Sequence, residues 1–197
     1  LIATSFIKSG TSREMILPNL ISEPALKLTI RQLTLTDFRC YDWVRLKIEE
    51  GPVILTGPNG AGKTNILEAL SMFVPGRGLR RAQLSELCRT GGKGGWGISV
   101  TLRTPSGEVK LGTGFCLSET KDGRERRISK VNGKVVAKQS ALLEHFSAIW
   151  LTPQMDRLFS GSASERRRFF DSLVCSWDLS HSNRLNSYNT AMRERLA

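Results

Sequence analysis

The chain has 197 residues, of which 40% are hydrophobic and 24% are charged, a composition typical of a globular protein with a buried core. Its 29 lysines and arginines outnumber its 18 aspartates and glutamates, and the resulting net charge of +11 favours a polyanionic partner such as nucleic acid. No apolar run approaches the roughly 18 residues of a membrane helix, and the four scattered cysteines exclude an ordinary zinc site or disulfide framework.

The first 26 residues lack the pattern of a folded element. Short apolar pairs alternate with Ser, Thr, Gly and two prolines, and the charged and continuous apolar regions of a secretory signal are absent. We expect residues 1–26 to form a poorly ordered extension. A domain over residues 27–161 and a helical segment over residues 162–197 are predicted to follow.

Three β-strands are predicted before residue 57. Apolar and polar residues alternate over residues 28–35, with an irregularity near Arg31, and alternate again over residues 44–48. The apolar run Val53-Ile54-Leu55 predicts a third, buried strand that ends at Thr56.

The third strand leads into an eight-residue stretch that matches G-x-x-x-x-G-K-[ST] between a strand and a helix. Its residues are Gly57, Pro58, Asn59, Gly60, Ala61, Gly62, Lys63 and Thr64. Glycines let the backbone approach a phosphate closely, and successive N–H groups at a helix N-terminus bind anions. We therefore predict that Lys63 reaches the β- and γ-phosphates of ATP and that Thr64 is a ligand of Mg²⁺.

After the loop, a helix is predicted to end by Phe73, since Pro75-Gly76 cannot continue it. Residues 76–97 are rich in glycine and basic residues and predict a surface loop with a short helix near residues 82–88. Two strands are predicted on either side of residues 105–107.

A basic β-hairpin is predicted around Asn132-Gly133. Its basic residues include Arg124, Arg126, Arg127, Lys130 and Lys134. They are candidates for contact with the DNA backbone. An equally good interpretation is an exposed sheet edge that lysine and arginine protect from pairing with other chains.

The last third of the chain combines one strand with helices. Residues 142–146 look helical, and the run Ala148–Leu151 predicts another buried strand. Ser162 and Glu165 form a capping box that opens an amphipathic helix, and a last helix begins near Ser182.

Several segments together resemble the RecF family of bacterial replication and repair ATPases, which belongs to the ABC/SMC class. They are residues 33–41 (LTLTDFRCY), the phosphate loop through Asn65 with residues 67–69, and residues 152–159 leading into residues 164–171 (SERRRFFD). The last of these blocks is much more specific than the phosphate loop, which many NTPases share.

The resemblance implies an α/β P-loop NTPase of the ABC/SMC head type, with an antiparallel β portion and a helical lid that starts at residue 162. It places Arg39 and Asn65 near the nucleotide and makes Gln154 a candidate for contact with Mg²⁺ and the attacking water. A polar loop residue without such a role is the favoured interpretation of Gln154. Cys40, Gln154 and Ala163 depart from the family pattern. No Walker B acidic pair or signature motif is found, so we expect the chain to be an amino-terminal portion of the protein.

The function that the resemblance implies is ATP-dependent DNA binding in recombinational repair and replication-fork maintenance, with DNA damage and the SOS response as its setting. ATP and Mg²⁺ would be the cofactors, single-stranded DNA or single-strand/duplex junctions the substrate, and an ATP-dependent homodimer with slow hydrolysis the working form. Other repair proteins would be partners, the location would be cytoplasmic, and no membrane would be involved. The alternatives are a P-loop kinase and a basic nucleic-acid-binding module with a vestigial loop.

Overall fold

A computed structural model describes residues 28–117, 125–153, 155, 158, 161–178 and 180–196. Among these residues one compact unit ends at Phe146 and a second begins at Ser147. The predicted extension over residues 1–26 lies outside the described residues, as do the site candidates Arg124 and Gln154. The domain boundary at residues 161 and 162 stays a prediction.

Six strands form one antiparallel sheet in the first unit, in the order β2-β1-β3-β4-β5-β6. The strands are β1 (Thr29–Phe38), β2 (Tyr41–Lys47), β3 (Gly95–Thr104), β4 (Gly107–Cys116), β5 (Ile128–Val131) and β6 (Lys134–Val136). The register between β1 and β3 shifts between Ile30 and Gln32, which confirms the irregularity predicted there.

The core lies on one face of this sheet. Alternation sends Leu33 and Leu35 of β1 to that face, where both are fully buried. Helix α1 (Lys63–Ser71) contributes buried residues to the unit's core, and the turn that follows it adds Met72 and Phe73. The helix therefore runs from the predicted phosphate loop into the core of the unit.

The predicted hairpin is confirmed. Strands β5 and β6 pair on either side of Asn132 and Gly133, whose φ angles are 48° and 81°. Two consecutive left-handed residues define the tight hairpin turn that an Asn-Gly pair favours.

Two strand predictions are wrong. Residues 53–56 and 148–151 adopt no strand, and Ile54 is 83% exposed and Leu151 69% exposed. An apolar run forms a strand only where a neighbouring strand completes its hydrogen bonds. No described strand pairs with either run, since the six described strands pair with one another.

Two short predicted helices are 3-10 turns, at Ser85–Leu87 and Gln139–Glu144. The Gln139 side chain donates a hydrogen bond to the Val74 carbonyl at 2.9 Å, so the second turn is tied to the chain just beyond α1.

The second unit contains α2 (Ala163–Trp177) and α3 (His181–Leu196). The predicted capping box is present, because the Ser162 hydroxyl accepts from the Glu165 N–H and the Glu165 carboxylate accepts from the Ser162 N–H. The imidazole of His181 lies 3.2 Å from the Asp171 carboxylate and links the two helices. None of the described helices combines the length and hydropathy that crossing a bilayer requires.

Candidate nucleotide-binding site

The loop over residues 57–62 delivers the chain into α1 at Lys63. Gly62 precedes the helix with φ 91°, and no side chain caps the helix there. The Gly62 carbonyl accepts from the N–H groups of Asn65 and Ile66, which closes the first turn. The first amides of α1 therefore lie beside a glycine-rich loop, the arrangement that binds phosphate at a helix N-terminus.

Gly62 is also where the loop meets the end of the β1–β2 hairpin. A Cβ atom at this position would lie 2.5 Å from the Tyr41 hydroxyl oxygen and 2.9 Å from the Cys40 sulfur. The Asn65 side-chain amide, in the first turn of α1, approaches the same sulfur to 3.2 Å. Residues 40 and 41 thus hold the base of the loop in place, and only glycine fits against them.

Lys63 folds back across its own loop. Its ammonium group donates to the carbonyls of Gly57 and Pro58, at 2.7 Å each. The side chain therefore spans the same loop whose amides would hold a phosphate. Thr64 is exposed at the second position of α1.

Arg39 approaches α1 from the end of β1. Its guanidinium makes two hydrogen bonds to Glu68, at 2.9 and 2.8 Å, and a third to the Glu86 carbonyl at 2.9 Å. This bidentate bond to Glu68 raises the pKa of Arg39 above its usual range. Arg39 is thereby fixed on the side of the helix that begins at the loop.

Glu68 is the buried centre of a charge cluster. Its side chain is 1% exposed, and its carboxylate also accepts from Arg80 at 3.1 Å. Arg80 donates in turn to the Asn65 side chain at 2.9 Å. Two cations around one carboxylate leave a net positive charge beside the loop.

These residues line an open cleft of about 570 Å³ next to the N-terminus of α1. Its walls include Arg39, Cys40, Asn65, Arg80 and Arg89. Arg89 is held by the carboxylates of Asp37 and Asp42, at 2.8 and 3.1 Å. Of these site residues, Arg39 and Asn65 were predicted from the sequence, whereas Glu68, Arg80 and Arg89 were not. They lie far apart along the chain, and no local pattern marks them.

The cations predicted to contact DNA have different surroundings. Arg126, Lys130 and Lys134 are exposed. The Arg127 guanidinium is buried instead, 3.9 Å from the Met72 sulfur, and one of its nitrogens has no partner among the described residues. Burial lowers the pKa of Arg127 to about 10. Arg127 therefore packs against the turn after α1.

The residues beside the loop fit Mg²⁺ as a companion of a bound nucleotide. The described residues contain no cluster of three His, Cys, Asp or Glu that would form an all-protein metal site. Mg²⁺ bound with a nucleotide takes few protein ligands and keeps several waters. The exposed Thr64 hydroxyl beside the loop fits that role.

Comparisons with known proteins agree with this geometry. A family profile described as an AAA domain matches residues 32–178. The DNA replication and repair protein RecF of Allorhizobium ampelinum is 47% identical over 171 residues, which cover 87% of this chain and 45% of that protein. The RecF protein of Mesorhizobium japonicum is 46% identical over 166 residues, covering 84% of this chain and 43% of that protein.

A solved structure described as the recombination mediator protein RecF-ATPrS in the RecFOR pathway superposes with a TM-score of 0.75. It covers 85% of this chain and 44% of its own chain at 24% sequence identity, so the likeness shows the fold. A second one, described as RecF-ATP, has a TM-score of 0.73. The chain spans less than half the length of the curated relatives it matches.

The fold and the loop define an α/β P-loop nucleotide-binding head with an antiparallel β portion, as predicted, and the chain belongs to the AAA domain family. Within that family it is a homologue of the RecF proteins, which confirms the resemblance found in the sequence.

Proposed function

We propose that this chain binds ATP at its phosphate loop and that the intact protein is an ATP-dependent DNA-binding protein of recombinational repair and replication-fork maintenance. The observation that supports this most strongly is the uncapped N-terminus of α1, which follows Gly62 and carries Lys63 and Thr64. Backbone amides and a lysine at such a position are suited to bind the phosphates of a nucleoside triphosphate.

Each loop residue has a distinct role in this proposal. The N–H groups of residues 60–64 donate to phosphate oxygens. Lys63 exchanges the Gly57 and Pro58 carbonyls for the β- and γ-phosphates, because a charged acceptor binds an ammonium group more strongly than a carbonyl does. Thr64 joins the Mg²⁺ shell, and bound Mg²⁺ would neutralise phosphate charge. Arg39 and Asn65 contribute from the cleft beside the loop, and Gln154 remains a candidate for orienting water.

The proposal of DNA contact rests on the net positive charge of the chain and on its similarity to RecF proteins. Curated relatives are named for DNA replication and repair, and this chain carries a net charge of +11. Arg126, Lys130 and Lys134 are exposed cations on or beside the β5–β6 hairpin. Contacts of this kind are made mainly to phosphates, so binding is expected to be steeply salt-dependent and weakly sequence-specific.

The ATP cycle is proposed to control this contact. Two heads would close as a homodimer on ATP and hold DNA, and slow hydrolysis would release it. The nucleotide then acts as a timer for DNA binding.

Fluorescence anisotropy with a labelled oligonucleotide tests the coupling. The intact protein, the Lys63→Ala variant and the control Lys93→Ala are compared with ADP, with a non-hydrolysable ATP analogue and without nucleotide. Lys93 is an exposed lysine in the turn before β3, outside the loop. We expect the ATP analogue to tighten DNA binding by the intact protein and by Lys93→Ala, and to leave Lys63→Ala unchanged. The proposal would be overturned if the ATP analogue raised the DNA affinity of Lys63→Ala as much as that of the intact protein. It would also be overturned if the intact protein had the same DNA affinity with and without nucleotide.

A further inference from the structure

The sheet has a second face, opposite the core, that is separate from the phosphate loop and contains one of the DNA-contact candidates, Lys130. Residues paired directly across an antiparallel sheet share a face. Since Leu33 and Leu35 are buried on one side, Thr34 and Thr36 mark the other. We call this side the open face.

The register aligns the open face in rows across the strands. One row runs from β2 to β6, and its members are Arg45, Thr34, Ser99, Gly112, Lys130 and Val135. A second row runs from β2 to β5, and its members are Trp43, Thr36, Gly97, Gly114 and Ile128. Both rows have small residues in the middle and large ones at the ends.

The small residues form the floor of a shallow trough of about 340 Å³. Thr34, Thr36, Gly97, Ser99, Gly112 and Gly114 line it. A Cβ atom added at Gly97 would meet nothing within 4 Å, so the floor there is open. The four strand spacings from β2 to β5 span roughly 19 Å.

Basic residues stand on both sides of this floor. Lys47 lies opposite Gln32, and Lys110 lies opposite Thr101, in a third row of the same face. Together with Arg45 and Lys130 they make four cations, and none of the ion pairs among the described residues involves them. The acidic residue of this face, Glu108, lies opposite Arg103 at the end of the sheet. The trough is therefore flanked by positive charge without matching acids.

An exposed aromatic ring stands at the β2 end. Trp43 is 59% exposed, although a large apolar side chain gains free energy by burial. The Arg45 guanidinium lies over its ring, 5.1 Å from the centroid. A tryptophan that carries a stacked arginine and more than half its surface in solvent is suited to stack a nucleobase.

We infer that the open face binds a single strand of DNA, with phosphates held by Arg45, Lys47, Lys110 and Lys130 and a base stacked on Trp43. This inference rests on the proposed function, which supplies DNA as the ligand, and it adds the surface and the residues that would bind a single strand. Cations along a groove together with an aromatic platform are the two features that bind single strands without sequence preference.

A single strand fits this face better than a duplex does. The bases of a duplex stack on one another and offer no free ring face to Trp43, whereas unpaired bases do. The glycines and small hydroxyl residues keep the floor low enough for bases to lie between the flanking cations.

Anisotropy titrations of the intact protein with labelled oligo-dT and with a duplex of equal length test the inference. The Trp43→Ala variant is matched by Trp177→Ala, which removes another exposed tryptophan, in α2. The triple variant Arg45→Gln/Lys47→Gln/Lys110→Gln is matched by Lys93→Gln. Trp43→Ala is expected to weaken oligo-dT binding at least about fivefold. The triple variant should lower the slope of log affinity against log salt by about 2.

A photo-crosslink gives an independent readout. An oligonucleotide that carries 5-iodouracil should form its adduct on the peptide containing Trp43, and mass spectrometry locates it. Unchanged oligo-dT affinity in Trp43→Ala and in the triple variant would overturn the inference while leaving the proposed function intact. A loss confined to duplex binding would also overturn it. If the unmodified protein bound neither oligo-dT nor the duplex, both the inference and the proposed function would be overturned.

Discussion

At the position of Gly62, two neighbouring side chains leave no room for a methyl group. The Tyr41 hydroxyl and the Cys40 sulfur both fall inside the contact distance of a Cβ atom, and the backbone is left-handed. Arg39 is held in place by hydrogen bonds, since its bidentate bond to Glu68 fixes it against α1. At the scale of single residues, the site is therefore held in place by contacts from the β1–β2 hairpin.

Gly62→Ala is expected to weaken ATP binding at least tenfold, because the loop must move away from Tyr41 to accept the new side chain. Gly97→Ala is the control, since its backbone is ordinary and its surroundings are open. Calorimetric titration with an ATP analogue measures both. An affinity of Gly62→Ala equal to that of the unchanged protein would show that the loop is not pinned at this point.

Arg127→Met is expected to leave the free energy of unfolding unchanged or to raise it by about 1 kcal/mol, since a buried cation without a described carboxylate is replaced by a side chain suited to Met72. Arg126→Met, at an exposed neighbour, should have little effect. Urea denaturation gives both values. A loss of more than about 2 kcal/mol in Arg127→Met would mean that its guanidinium has an essential anionic partner.

Local sequence patterns predict some of the secondary-structure elements correctly and fail for others. The alternation around Leu33 and Leu35, the Asn132-Gly133 turn and the capping box at Ser162 are local signals, and each was predicted correctly. Residues 53–56 also have the local pattern of a strand, but no described strand pairs with them. Whether a partner strand is present depends on residues that are distant in the chain, so the local pattern alone could not predict it.

The candidate site also contains a part that the sequence predicted and a part that it did not. Its loop is a continuous motif and was predicted residue by residue. Glu68 binds Arg39 across a separation of 29 residues and Arg80 across 12. The open face exists only once the strand register is known. Neither leaves a pattern in a short window of sequence.

Ser162→Ala is expected to destabilise the start of α2 by about 1 kcal/mol, because the Glu165 N–H loses its acceptor. Hydrogen exchange should speed up in the first turn of α2. Ser172→Ala is the control, as it lies exposed inside the same helix, where alanine is favourable. Unchanged exchange at residues 163–166 would show that the capping box contributes nothing there.

At the level of the whole molecule, one unit carries two proposed ligand-binding surfaces. The phosphate loop lies at the start of α1, and the open face lies on the side of the sheet away from the core. ATP is proposed to act at the first and DNA at the second. Ligand binding to a folded state stabilises it, so each surface has its own effect on unfolding.

ATP with Mg²⁺ is expected to raise the melting temperature of the intact protein, since a ligand at a hundred times its dissociation constant contributes about 2.7 kcal/mol. Differential scanning fluorimetry should show the shift for Trp43→Ala as well, because the open face is separate from the loop. Lys63→Ala should show little or none. A loss of the ATP shift in Trp43→Ala would contradict the separation of the two surfaces.

A crystal structure of the intact protein with a non-hydrolysable ATP analogue and Mg²⁺ would show whether the loop holds the triphosphate. We expect phosphate oxygens within hydrogen-bond distance of the N–H groups of residues 60–64, and a Lys63 ammonium that has left the carbonyls of Gly57 and Pro58 for the β- and γ-phosphates. A nucleotide bound elsewhere, with Lys63 still on those two carbonyls, would contradict this expectation.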